Sequence, residues 1–118
     1  MQFKTNESEY RFLNILWEVE PISSPELVKL CLEKLGWKKS TTYTVIKNLS
    51  GKKIVRSENT IVTALVAREQ IVKQESMLFL EKTFGGNLPE FFAAFLKDRK
   101  LSIEEADRIK RMIEEASE

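Results

Sequence analysis

Apolar residues in the first half of the chain recur at helical spacing, interrupted by cap and turn residues. Phe12, Leu13, Leu16 and Trp17 share one face, and Asn6 with Glu9 has the spacing of a helix cap. A helix is therefore predicted over 6–20, stopped by Pro21. Ser23-Ser24-Pro25-Glu26 starts a second one, with a Ser cap, Pro in the first turn and an acid near the positive end of the dipole. Leu27, Leu30, Cys31 and Leu35 give its apolar face, and Gly36 ends it. In 40–50, with Ser40 as the expected cap, Thr42, Val45, Ile46 and Leu49 form a stripe for burial. The opposite face displays Thr41, Tyr43, Thr44, Lys47 and Asn48, polar but without an acid, whereas helix surfaces usually mix both signs. Ile54-Val55 and Ile61-Val62-Thr63, parted by the turn 57–60, read as a short antiparallel hairpin.

Beyond Val66 the pattern changes. A helix is predicted over 68–84, broken by Gly85-Gly86 and restarted by Asn87-Leu88-Pro89-Glu90 before the apolar run 91–96. Ser102 and Glu105 form a capping box for a last helix, with Ala106, Ile109, Ile113 and Ala116 on one side. Five of the seven Phe lie within 79–95. A segment of roughly fifty residues in three short helices cannot hide that much apolar surface by itself. It must pack on the first domain or on a second copy of the chain. The second copy is favoured, because residues 1–66 already close a helical core. The surface for it comprises Leu78, Phe79 and Phe84, then Phe91, Phe92, Phe95 and Leu96, then Ile109 and Ile113.

Two helices joined by a short turn and followed by a hairpin describe a winged helix-turn-helix, whose second helix enters the DNA major groove while the wing lies along the backbone. The expected fold is mainly α with a small β-hairpin: a winged-helix DNA-binding domain at 1–66 and a helical dimerisation domain at 67–118. Charge sharpens this. The 118 residues carry a net charge of only +1, yet 38–57 hold six basic residues and no acid. Such a local basic stretch is either a solvated face or the footprint of nucleic acid. On the DNA reading, Thr41, Tyr43, Thr44, Lys47 and Asn48 meet base edges, while Lys38, Lys39, Ser40, Lys52, Lys53 and Arg56 meet phosphates.

Catalysis has little to build on. With no His and one Cys there is no Ser-His-Asp triad, Cys-His dyad, His-based zinc site or internal disulfide. No enzyme activity, metal or cofactor is expected. Glu104-Glu105 and Glu114-Glu115 alternate with Lys and Arg as ion-paired surface, and Gly85-Gly86 lacks any phosphate-loop context. Cys31 reads as a small buried hydrophobe and Trp17 as core; Trp37, between the two motif helices, either packs or donates its N–H to a phosphate. No apolar run reaches the length of a membrane span, and the charged start MQFKTNESEYR lacks an apolar signal region, so a cytoplasmic protein is expected.

The residues also resemble a known family. Glu9-Tyr10-x-Phe12-Leu13-Asn14-Ile15-Leu16-Trp17 is similar to the E-W-x-V-M-x-I-x-W of the penicillinase-repressor family, which includes copper-responsive repressors as a branch. Trp37 through Val55 follows that family's W-S-x-x-T-V-x-T-L-x-x-R-L-x-x-K-G-x-(I/V) without gaps, with Thr41, Thr44, Leu49 and Val55 on matching positions. Thr63-Ala64-Leu65-Val66, a helix, Gly85-Gly86, an apolar helix and Leu101-Ser102 extend the likeness over nearly the whole chain. The resemblance implies a cytoplasmic homodimeric transcriptional repressor on a palindromic double-stranded DNA operator, dimerised through its C-terminal helices. The chain departs from the pattern in three places. Tyr43 and Asn48 stand where the family has basic residues; its Lys-Gly is displaced, with Gly51 earlier and Lys52-Lys53 following; the wing turn is shorter. These bear on which operator is read. The C-terminal Cys-x-Cys motifs of the copper-responsive branch are absent, which excludes thiolate metal sensing. Resistance repressors are cleaved at an Asn-Phe bond; the matching bond here is Ala94-Phe95, with the Phe kept and the Asn not, so a regulatory protease is a candidate partner. The alternative to DNA reading is a winged-helix protein–protein adaptor.

Overall fold

The computed structural model describes residues 3–118. Asn6 and Glu9 cap each other's backbone, at 2.8 Å and 3.0 Å, and start helix α1, Glu7–Val19. Ser23 accepts the Glu26 amide at 3.4 Å and starts α2, Ser24–Leu35. Gly36, at φ 70°, ends α2 in the left-handed conformation that glycine adopts without strain. Helix α3 runs Lys39–Gly51. Its cap position is Lys38, not Ser40 as the sequence suggested, and no side chain caps it. The connection from α2 explains the early start. Trp37 donates its amide to Cys31 and stacks flat on Phe12, with centroids 6.4 Å apart and planes 3° apart. Lys38 then follows directly, and its carbonyl accepts the Thr41 and Thr42 amides.

The hairpin is longer than its β-branched residues suggested. Strands β2, Val55–Glu58, and β3, Ile61–Ala64, pair antiparallel from Val55 with Ala64 to Glu58 with Ile61. Only Asn59 and Thr60 remain as the turn, at φ 51° and 64°, the signs a two-residue type I′ turn requires. Ser57 and Glu58, expected in the turn, therefore belong to the strand. A further strand was not anticipated: β1, Ile22–Ser23, pairs with β3, giving the order β1-β3-β2. Two residues are too few to show period-two alternation.

Helices α4 (Arg68–Phe84), α5 (Leu88–Leu96) and α6 (Ile103–Ala116) complete the chain. Asn87 and Ser102 accept the Glu90 and Glu105 amides and cap α5 and α6 where their spacing predicted, Ser102 with one bond in place of the reciprocal pair of a capping box. The chain divides into two compact units, the first reaching Met77 and the second running Leu78–Glu118. The first has a closed core. Phe12, Leu13 and Leu16 meet Leu27 and Cys31 of α2, Leu49 of α3, Ile54, Val62 and Ile71 of α4. The second unit has no buried residue. Its Phe79, Phe84 and Phe91 rings meet edge to face at 5.6–6.3 Å, and Phe95 stacks on Phe91. Phe92, Phe95, Leu96, Leu101, Ile109 and Ile113 line an open apolar groove there.

Candidate nucleic-acid interface

The stripe Thr42, Val45, Ile46 and Leu49 is buried, so the register of α3 is fixed. That register turns Thr41, Tyr43, Thr44, Lys47 and Asn48 out to solvent together. All five candidate base-reading side chains thus share one exposed face, and α3 contains no acid. Lys39 reaches toward the Tyr43 ring, its Nζ 6.0 Å from the centroid, and places a cation against the one aromatic on this face.

Lys38, Lys39 and Ser40 are exposed at the start of α3. Because no side chain caps this end, its first amides stay open, and the helix dipole adds partial positive charge to that of the lysines. Lys53 and Arg56 are exposed beyond the other end of α3, on the way into the wing. Arg56 approaches Glu58 at 3.5 Å, with both side chains about two-thirds exposed, so the pair is weak and readily exchanged. Lys53 sits at φ 62°, the left-handed conformation that favours glycine. The turn out of α3 needs that conformation at Lys53, whereas Gly51 lies within the helix.

Lys52 is placed differently. Its Nζ lies 2.7 Å and 3.0 Å from the carboxylate oxygens of Glu9 and 2.9 Å from the Lys4 carbonyl. Sequence reasoning assigned Glu9 only to a cap and missed this second role. No signal in the sequence links two residues so far apart.

Trp17, Trp37 and Cys31 support the scaffold. Trp17 is half-buried and donates its indole N–H to the Val66 carbonyl at 3.0 Å. Trp37 packs, as its stack on Phe12 shows. Cys31 is buried, and burial pushes its thiol above the ordinary value, opposed by the Thr42 hydroxyl beside it. Ala94 and Phe95 lie exposed in α5, with the Arg99 guanidinium 4.5 Å over the Phe95 ring. Among the described residues no cluster of His, Cys, Asp or Glu could hold a metal ion, and no helix is long and apolar enough to cross a membrane.

Two comparisons with known proteins bear on this surface. The family model described as penicillinase repressor matches residues 5–115. A protein described as a penicillinase repressor, from Staphylococcus aureus, is 24% identical over 120 residues, covering 98% of this chain and 95% of its own.

Proposed function

The chain belongs to the penicillinase repressor family and is a transcriptional regulator, not an enzyme; from that premise we propose that it represses as a homodimer on a palindromic DNA operator. The observation that carries the reading is the division of α3 into a buried stripe and an exposed polar face without an acid. A major groove displays hydrogen-bonding edges between two lines of phosphates, and this helix matches both. Asn48 can pair bidentately with adenine, Thr41 and Thr44 can touch thymine methyls, and Lys47 can reach guanine. Lys38, Lys39, Ser40, Lys53 and Arg56 flank this face and suit phosphates, which position without specifying.

Dimerisation is supported by the second unit. Phe79, Phe95 and Ile113 are each about half exposed, and Phe95 and Ile113 line the open groove. Contiguous apolar surface of this kind marks an association site, and a two-fold pair would present two identical α3 faces to an inverted repeat. A regulatory protease would act at Ala94-Phe95. That bond lies on an exposed helix, so cutting it requires α5 to unwind locally.

A salt titration of duplex binding tests the reading. DNA contact predicts that log affinity falls linearly with log salt, by about 0.9 per neutralised phosphate. Affinity independent of salt, or absent for every duplex, would favour a protein–protein adaptor.

A further inference from the structure

Among the cations around α3, Lys52 has its charge already engaged. Glu9 is 3% exposed, and its Oε1 accepts both Lys52 Nζ and the Asn6 amide. A carboxylate this buried must keep its counter-charge, because an unpaired buried ion is strongly disfavoured. Lys52 therefore cannot move to a phosphate without stranding Glu9.

The third partner of Lys52, the Lys4 carbonyl, belongs to a segment that is itself held. Phe3 and Gln74 of α4 exchange two hydrogen bonds of 2.8 Å, and the Thr5 hydroxyl donates to Glu75 at 2.8 Å. Residues 3–5 thus form a strap fastened to α4, and Lys52 fastens the end of α3 to the same strap and to the start of α1. The backbone carries this to the reading face. The Lys52 amide donates to Asn48, the Lys53 amide to Ser50 and the Ile54 amide to Leu49, closing the last turn.

We propose that Lys52 is a positioning residue: its bonds to Glu9 and the Lys4 carbonyl latch the last turn of α3, so that Thr44 and Asn48 meet the groove in one orientation. The proposal rests on the DNA reading above. A latch affects discrimination between sequences and leaves counterion release unchanged. A phosphate contact does the reverse.

The test uses the full-length protein, a duplex that it selects from a random-sequence pool, and a mixed-sequence duplex of equal length. Lys52→Met should weaken the selected duplex by about tenfold, the size of one lost base contact, with little change on the mixed duplex and an unchanged salt slope. Glu9→Gln, which leaves the lysine in place, should give a similar loss, and Lys52→Arg should restore most of the affinity. Should Lys52→Met fail to fold, the double variant Glu9→Gln, Lys52→Met strands no charge and should show the same loss of discrimination. Equal losses on both duplexes with a slope flatter by about one unit would make Lys52 a phosphate contact and overturn the proposal. So would a lowered melting temperature with discrimination intact. Amide hydrogen exchange without DNA separates this from the DNA reading. If the wild-type chain selects no duplex, that reading fails by itself. The latch then stands on faster exchange at residues 52–54 in Lys52→Met, and unchanged exchange there overturns it.

Discussion

Lys53 occupies the left-handed position in the turn out of α3, and it carries a β-carbon that this conformation disfavours. Lys53→Gly should raise unfolding stability by about 1 kcal/mol, read from urea denaturation, while removing one cation from the proposed phosphate surface. Stability and DNA affinity should therefore move in opposite directions. Gly51 is the converse case: it is helical, with open space around the position a β-carbon would take. Gly51→Ala should stabilise by about 0.5–1 kcal/mol. Cys31 adds a pH dependence. Its folded value lies above the ordinary 9.0, so the native state holds the proton more tightly than the unfolded chain. Its contribution is intact below pH 9.0 and is lost as pH rises through the folded value. Cys31→Ala should flatten the decline of stability in that alkaline window, although it costs stability at neutral pH by leaving a small cavity.

Helices α1, α2, α5 and α6 were legible because two independent signals, a cap and an apolar pattern, coincide in each. Asn6, Ser23, Asn87 and Ser102 all cap where their spacing placed them, and the buried stripe of α3 follows from Thr42, Val45, Ile46 and Leu49 alone. The start of α3 was not legible. Ser40 has the chemistry of a cap, but Trp37 stacking on Phe12 fixes the chain earlier, and that contact is tertiary. The wing shows the same limit. Ser57 and Glu58 look like turn residues, yet the two-residue turn draws them into β2, and β1 exists only because β3 offers it an edge. Of the candidate interface, the exposed face of α3 followed from periodicity, whereas the engagement of Lys52 with Glu9 did not. Thr60 holds a positive φ that its branched side chain disfavours. Thr60→Gly gives the Asn-Gly pair that type I′ turns prefer and should raise the thermal midpoint by a few degrees, the equivalent of about 1 kcal/mol.

Across the whole chain, the first unit encloses a core and the second encloses none, which is why the proposed dimer places a second copy over the α5–α6 groove. Sedimentation at micromolar protein should give twice the 13.7 kDa of one chain. Phe95→Asp should weaken association by at least the about 1.5–3 kcal/mol that burial of a Phe contributes, leaving the winged helix folded by circular dichroism. A monomer needs no inverted repeat and a dimer does, so oligomeric state and operator symmetry are one claim. Hydroxyl-radical footprinting on a duplex selected by the protein tests it most directly. Two equivalent protected patches related by a two-fold axis are expected, separated by one helical turn or a multiple of it. A single asymmetric patch, protected in full by a protein that sediments as a monomer, would contradict it.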